Sequence, residues 1–354
     1  MIQANPKKTL APLIGVLIAG LLLWVWNPKE KTDETVVFEG DTTYYLNQGN
    51  VFGTTYHIRY EATRDLQSAI DSALQCFDNS LSMFNPHSVL SVINANRDTV
   101  TDESFEQMFM EAIRINELSH GAFDISVAPL VNYWGFGRRV AGDGYPSSVN
   151  HQTIDSILSF VGFDKVQLVD HRVIKTDPRV MLDAGAVAKG QSCDMVAEVL
   201  GELGCTNYLV EIGGEVVAHG HNVQGQPWSI GISKPNLNNE GAQKDYQEIL
   251  HLTDACLATS GNYRNFYYDG DVRRSHTIDP RTGYPVQHSL LSATVISSSC
   301  MRADALATSC MVLGVEDAME MIKRAEDAAC FFIVAQNDSL MVITSPNWTD
   351  LVTK

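Results

Sequence analysis

A largely apolar run of 18 residues without any charge, 9–26, lies near the start of the chain. Trp24 and Trp26 stand at its end, where aromatic side chains often lie at a membrane surface. A run of this length is typical of a transmembrane helix, whereas the apolar core of a signal peptide spans roughly 7–15 residues. The pattern favours an uncleaved membrane anchor over residues 1–26, with a cleaved signal segment as the alternative, and the bulk of the chain outside the cytoplasm.

The spacing of apolar positions beyond this run predicts both helices and strands. Helical spacing predicts helices over residues 64–81, 105–118, 187–203, 303–313 and 315–325. Alternation predicts strands over residues 51–60, 208–212, 228–232, 272–278 and 291–296, two short strands within 165–182, and a hairpin over 331–343. Because the two kinds of element mix without a strict βαβ alternation, the pattern predicts an α+β fold instead of a doubly wound parallel sheet. We expect a polar linker over 27–48, one domain over 49–345 and a tail over 346–354.

Charge and cysteine usage exclude several classes of protein. Asp and Glu number 42 against 25 Lys and Arg, for a net charge of -17, so we expect no nucleic-acid partner, since phosphate contacts need clustered cations. The seven cysteines form no CxxC pair, which argues against zinc and thioredoxin-like sites and favours buried apolar thiols. Rossmann and P-loop glycine patterns are also missing. An anionic ligand would therefore depend on backbone amides or a metal ion.

Asp304 and Thr308 stand four apart in a predicted helix and so share one face. A carboxylate and a hydroxyl are hard oxygen donors of the kind that Mg²⁺ prefers. The alternative is that Asp304 caps the start of the helix, because aspartate is a favoured N-cap residue. The spacing alone leaves both interpretations open.

Two glycine-containing segments can bring backbone close to a ligand. Residues 182–190 place a carboxylate, Asp183, before a turn and a helix start, where backbone N–H groups can face an anion. Residues 210–216 place Gly213 and Gly214 between apolar runs, which permits close backbone approach. The alternatives are a plain strand-to-helix turn and a simple bulge or hairpin turn.

Proton transfer is the chemistry that His276 could supply, because it precedes a Pro/Gly turn that would expose its ring. A lone histidine is more often structural, so this assignment needs other support. Ser260 precedes glycine but lacks the pattern around a hydrolase nucleophile. Residues 121–130, with Asp124, and the aromatic segment 134–137 could hold a planar ring, or could form a loop packed on a core.

Taken together and in this order, these segments resemble the ApbE family of FAD:protein FMN transferases. Residues 52–56 and 81–94 add to the resemblance, which runs from about residue 50 to 345, nearly the whole part beyond the predicted anchor. The resemblance implies an α+β fold, FAD as substrate, Mg²⁺ as cofactor, and transfer of FMN as a phosphoester onto a Thr or Ser of a target protein with release of AMP. Mg-dependent FAD pyrophosphatase activity and non-catalytic FAD binding remain the alternatives.

The resemblance also implies roles for individual residues. The expected FAD contacts are Phe52, Phe84, Ala122, Phe123, Asp124, Asp183, Lys189 and Ile278. The family usually has Met at the first of these positions and often Tyr at the second, so Phe84 keeps a stacking surface but lacks the hydroxyl. The Ala186 carbonyl, Asp304 and Thr308 are expected to bind Mg²⁺, and His276 is expected to activate the chemistry.

Location and partners follow from the same resemblance. Members of the family are secreted or membrane-attached in bacteria, so we expect a single-pass protein of the inner membrane with its catalytic domain in the periplasm. The expected acceptors are subunits of the sodium-pumping NADH:quinone reductase or of Rnf-type complexes.

Overall fold

An antiparallel sheet of eight strands forms the centre of the structure, in the order β1-β2-β5-β6-β9-β14-β15-β16. The computed structural model describes residues 42–137, 145–146, 148–235, 245–263, 265–337 and 339–352. The strands are β1 (Thr43–Val51), β2 (Thr54–Ala62), β3 (Val166–Val169), β4 (Arg172–Lys175), β5 (Tyr208–Ile212), β6 (Glu215–His219), β7 (Trp228–Ser233), β8 (Tyr246–Leu252), β9 (Ala255–Gly261), β10 (Phe266–Asp269), β11 (Val272–Ser275), β12 (Ile278–Asp279), β13 (Tyr284–Pro285), β14 (Leu290–Ser297), β15 (Ala329–Gln336) and β16 (Ser339–Thr344).

Helices cover one face of this sheet, and a second hairpin covers part of the other. The helices are α1 (Gln67–Leu81), α2 (Val89–Asn94), α3 (Glu103–Leu118), α4 (Ala128–Tyr133), α5 (His151–Leu158), α6 (Ala188–Glu202), α7 (Cys300–Leu313), α8 (Val315–Arg324) and α9 (Trp348–Val352). On the opposite face, the β7–β8 hairpin and α9 pack against the sheet. Because β14 is covered on both faces, all eight of its residues are buried.

Alternation along the strands divides the apolar side chains between these two layers. Val295 and Phe332 belong to the core beneath the helices, whereas their neighbours Ile296 and Phe331 belong to the core beneath the β7–β8 hairpin. Successive side chains of a strand point to opposite faces, so a continuous apolar run suits a strand buried on both sides.

Helices α6 and α7 lie in direct backbone contact. A Cβ atom added at Gly190 would lie 2.2 Å from the carbonyl oxygen of Cys300, so only glycine permits this approach. The carboxylate of Asp194, on α6, accepts hydrogen bonds from the N–H groups of Cys300 and Met301, both at 2.8 Å. These bonds satisfy amides at the start of α7 that have no partner within the helix, and they fix the two helices relative to one another.

The predicted α+β class is confirmed, and so are the five predicted helices, the two short strands within 165–182 and the hairpin over 331–343. The structure places further elements beyond both ends of the predicted domain. Residues 43–48 of the predicted linker belong to β1, which pairs with β2 along its whole length. Residues of the predicted tail form α9, whose Trp348 is buried against Phe331.

Two predicted strands are interrupted by turns. The prediction over 51–60 misses the turn at Phe52 and Gly53, both at positive φ (51° and 76°), which separates β1 from β2. The prediction over 272–278 spans two strands, since β11 ends at Ser275 and β12 begins at Ile278. A positive φ is strained for a residue with a large side chain such as Phe52. Because an apolar residue stands in this turn, the alternation of apolar positions did not indicate that the strand is interrupted there.

No helix within the described ranges is long and apolar enough to cross a membrane. The predicted anchor, residues 9–26, lies outside those ranges, so it stays a prediction. All seven cysteines are described; none is in a disulfide, and all except Cys76 are buried. The expectation of buried apolar thiols is therefore confirmed for the other six.

Candidate active site

A cleft of about 400 Å³ gathers side chains from elements far apart in sequence. Its walls come from the start of α6, one face of α7, the end of β9, and the segments 122–127 and 276–280. Ten of the twelve residues singled out from the sequence line it, namely Ala122, Phe123, Asp124, Asp183, Ala186, Lys189, His276, Ile278, Asp304 and Thr308. Their functional roles are not tested by this placement, but one site can accommodate all ten.

Phe52 and Phe84 are not among the lining residues. Phe52 packs against Phe77, with ring centroids 5.3 Å apart, and Phe84 is 61% exposed. The residue before it, Met83, lines the cleft instead. The contacts of both phenylalanines with FAD therefore stay predictions.

Helix α7 carries the two oxygen donors predicted to bind a metal ion. Asp304 is only 1% exposed and lies in the second turn, while the helix is capped by Ser299, whose hydroxyl accepts a hydrogen bond from the Arg302 N–H. The alternative interpretation of Asp304 as an N-cap is therefore wrong. Its Oδ2 accepts a hydrogen bond of 3.1 Å from the Gly190 N–H. Asp304 lines the cleft, and its Oδ1 faces Lys189 Nζ at 3.7 Å.

The chemistry of these donors fits Mg²⁺. In the described part of the chain, no group of three or more His, Cys, Asp and Glu side chains could hold a metal ion. The predicted set contains one carboxylate, Asp304, with the Thr308 hydroxyl and the Ala186 carbonyl, and all three residues line the cleft. Mg²⁺ prefers such oxygen donors and usually keeps water and substrate phosphate oxygens as further ligands. The set is suited to a metal ion that a bound diphosphate helps to hold.

Lys189 provides a half-buried positive charge beside this acidic group. Its Nζ lies 2.6 Å from Glu215 Oε1 and 3.7 Å from Asp304 Oδ1. Burial opposes the ammonium charge, but Asp304 and Glu215 outweigh it and raise the pKa of Lys189 above its ordinary value. Lys189 therefore remains charged at neutral pH.

Glu215 contacts Lys189 and has no role predicted from the sequence. It is 1% exposed and opens β6 directly after the Gly213–Gly214 turn. Burial raises the pKa of its carboxyl, an effect that the Lys189 ammonium opposes. The sequence did contain a sign of this contact, since Glu215 precedes the apolar residues Val216, Val217 and Ala218 of a buried strand. A charged residue in such a strand indicates an ion pair, because a buried charge needs a partner.

Two other acids shape the floor of the cleft. The carboxylate of Asp124 accepts hydrogen bonds from the backbone N–H groups of Ser126 and Phe163, at 2.8 and 3.1 Å. Asp183 Oδ1 accepts one from the Gly185 N–H at 2.7 Å, which closes the turn that leads into α6. Burial raises the pKa of both carboxyl groups. Both acids thus organise the backbone around the cleft as well as facing it.

The contact of His276 with a backbone carbonyl indicates which ring nitrogen carries the hydrogen. Its Nδ1 lies 3.2 Å from the carbonyl oxygen of Asn265. Because a carbonyl oxygen only accepts, Nδ1 carries the hydrogen and Nε2 keeps a free lone pair. Burial lowers the pKa of His276, and the positive charge of Lys189 lowers it further. The ring is therefore neutral near pH 7, the form that a general base requires.

Ser260 lies at the end of β9, with its hydroxyl 3.1 Å from the Thr308 hydroxyl. Both residues line the cleft. If one of these two hydroxyls donates its hydrogen to the other, the oxygen of the donating hydroxyl still has lone pairs that a second partner, such as a metal ion, can use. The sequence could not reveal this contact, because β9 and α7 lie far apart in sequence.

Replacing Gly190 by alanine is expected to destabilise the fold by about 3 kcal/mol, because the added methyl group would overlap the Cys300 backbone. The change would also displace the N–H that holds Asp304. Urea unfolding measures the free energy. Gly201→Ala is the matched control on the same helix, since its Cβ would meet no atom within 4 Å and alanine is the better helix former by roughly 0.5–1 kcal/mol. Equal stability of the two variants would contradict the close approach of α6 and α7.

Comparisons with known proteins agree with this geometry. The family model described as ApbE family matches residues 52–332. A Haemophilus influenzae protein named FAD:protein FMN transferase is 34% identical over 312 residues, covering 84% of this chain and 88% of that protein. A Vibrio cholerae protein of the same name is 35% identical over 316 residues, covering 86% and 92%. The solved structure of the flavin transferase ApbE from Vibrio cholerae superposes with a TM-score of 0.78 at 34% identity, over 88% of this chain and 100% of that one.

Proposed function

The chain belongs to the ApbE family, and from this membership and its cleft we propose that it transfers FMN from FAD to a Thr or Ser hydroxyl of an acceptor protein. The observation that carries the proposal is the meeting of His276, Lys189 and the oxygen donors Asp304 and Thr308 in one cleft. A base, a cation and hard oxygen donors are what attack on a diphosphate requires.

The reaction breaks one phosphorus–oxygen bond within the diphosphate and forms a new phosphorus–oxygen bond to the acceptor. The acceptor hydroxyl oxygen attacks the phosphorus on the FMN side, and the bond from that phosphorus to the oxygen of AMP breaks. Nε2 of His276 takes the hydroxyl proton, since the neutral ring offers its lone pair there. AMP leaves as a phosphate anion of low basicity, so its departure needs no proton donor.

The negative charge of the diphosphate opposes its binding and reaction in so acidic a protein, whose net charge is -17. We propose that Asp304, Thr308 and the Ala186 carbonyl hold Mg²⁺, which when bound supplies positive charge to the phosphate oxygens. Lys189 adds a second, fixed positive charge at the cleft wall, where the low dielectric strengthens its attraction for phosphate.

Location and acceptor extend the proposal beyond the cleft. We propose that residues 9–26 anchor the protein in the bacterial inner membrane and that the catalytic domain lies in the periplasm. The apolar run itself supports the anchor. The acceptors proposed are subunits of the sodium-pumping NADH:quinone reductase or of Rnf-type complexes, which rest on the family resemblance.

Transfer can be measured directly with the full-length protein, FAD and Mg²⁺, in the presence and absence of an acceptor domain that exposes a Thr. We expect an FMN-sized mass gain on the acceptor by mass spectrometry, with AMP released in equal amount. The matched control is an acceptor whose Thr is replaced by Val. AMP and free FMN in both arms, with no adduct, would instead establish an FAD pyrophosphatase. FAD binding with neither product would indicate a non-catalytic flavin-binding protein.

A further inference from the structure

The ammonium of Lys189 lies between two buried carboxylates and is closer to one than to the other. Its Nζ is 2.6 Å from Glu215 Oε1 and 3.7 Å from Asp304 Oδ1. Both acidic side chains are about 2% exposed, while one third of the Lys189 side chain is open to the cleft. The ammonium is therefore in close contact with Glu215 and forms a longer ion pair with Asp304, whose oxygen lies about 1 Å farther away.

The oxygen of Asp304 that faces Lys189 is the one left free for a metal ion. Oδ2 already accepts the N–H of Gly190 at 3.1 Å, whereas Oδ1 faces the ammonium. Two cations, an ammonium and a divalent ion, would thus compete for the same oxygen. The position of Lys189 decides how available that oxygen is.

The β5–β6 turn is built to keep Lys189 beside Glu215. Gly213 has a φ of 64°, and a Cβ there would lie 3.2 Å from Lys189 Cδ and 2.9 Å from Thr54 Cγ2. Glycine therefore leaves the space that the lysine stem occupies. The second oxygen of Glu215, Oε2, is buried and has no hydrogen-bond partner among the described residues, which leaves the contact of Oε1 with Lys189 as the recorded polar contact of this carboxylate.

We propose that Glu215 is a positioning residue that holds Lys189 away from Asp304 and so keeps Asp304 Oδ1 open to a divalent cation. The inference rests on the metal site of the proposed function. In the described part of the chain, Asp304 is the other carboxylate within 4.0 Å of Lys189 Nζ. A half-buried ammonium that loses one partner seeks another, so without Glu215 the lysine moves onto Asp304 and displaces the metal ion.

The test is Mn²⁺ binding, followed by electron paramagnetic resonance with the full-length protein and Mn²⁺ alone as the probe. Glu215→Gln removes the negative charge that attracts the ammonium, and it is expected to weaken Mn²⁺ binding about tenfold, the lower end of the range for residues that support a metal ligand. Lys189→Met is expected to bind Mn²⁺ more tightly than the wild type. The double variant Glu215→Gln/Lys189→Met is expected to match Lys189→Met, because the competing ammonium is gone.

The matched control is Glu211→Gln, on the neighbouring strand β5. Glu211 pairs with His57 at 2.6 Å and accepts the Gly214 N–H at 2.7 Å, and glutamine preserves that acceptor. We expect wild-type Mn²⁺ affinity for this variant. Circular dichroism verifies the fold of each variant.

The outcomes separate this inference from the metal site itself. Wild-type affinity in Glu215→Gln, or equal weakening in the double variant, would overturn the role of Glu215 and leave the metal site standing. No Mn²⁺ binding by the wild type would overturn the metal site and this inference with it. If Glu215→Gln does not fold, Lys189→Met decides alone, and an affinity no higher than that of the wild type refutes the proposal.

Discussion

His276→Ala is expected to lower kcat for FMN transfer by roughly 10²–10⁴-fold, the usual contribution of a general base. The variant removes the nitrogen that accepts the acceptor hydroxyl proton, while the cleft residues that bind FAD remain. We therefore expect KM for FAD to change little. Steady-state rates of AMP release, measured with a saturating acceptor protein, report both constants.

The dependence of this rate on pH gives a second measurement. Burial lowers the pKa of His276 below its ordinary value of 6.5, so the neutral, active form is complete at pH 7 and is lost only as the pH falls through the lowered pKa. The wild-type rate should accordingly fall on the acid side, at a pH below about 6.5. The residual rate of His276→Ala should lack this decline.

His219→Ala is the matched control, because His219 pairs with Asp254 at 2.7 Å and does not line the cleft. Its kcat and pH profile should equal those of the wild type. If His276→Ala retained the full rate, the base would lie elsewhere. If its rate kept the acid decline, another group would be responsible for that titration.

Periodicity was sufficient to find the five longest helices and several strands, whereas β6, β8 and β9 were not predicted. The prediction over 105–118 falls within α3, which adds two residues at its start and is capped by Asp102. The β15–β16 hairpin was equally clear from its apolar residues. Strand β1 was missed because it lies at the edge of the sheet, where its polar residues face solvent.

The site shows a similar division between local and long-range information. Ten residues chosen from the motifs line one cleft, and their roles there stay predictions. Pairs that meet only through the fold were not accessible, such as Ser260 with Thr308 or Glu215 with Lys189. The spacing of Asp304 and Thr308 also allowed an N-cap, and only the observed start of α7, with Ser299 as its cap, excluded that alternative.

Asp304→Asn is expected to lower the rate of transfer about 10³-fold, which corresponds to roughly 4 kcal/mol of transition-state stabilisation. Asparagine has nearly the same size, so the packing between α6 and α7 is preserved. Its single oxygen can still accept the Gly190 N–H that now bonds Oδ2. The amide group then takes the place of Oδ1, and an amide nitrogen offers neither charge nor a lone pair to Mg²⁺. AMP release at increasing Mg²⁺ concentration measures the effect.

Excess Mg²⁺ should fail to restore the rate of Asp304→Asn, because the variant lacks the ligand instead of merely binding the ion weakly. Asp317→Asn, in the first turn of the adjacent helix α8, is the matched control, and its rate should equal that of the wild type. The melting temperature of Asp304→Asn should stay near the wild-type value, since both the buried volume and the bond to Gly190 are kept. A stable variant with full turnover would show that Asp304 does not bind the metal ion, and the assignment of Ala186 and Thr308 as its fellow ligands would fall with it.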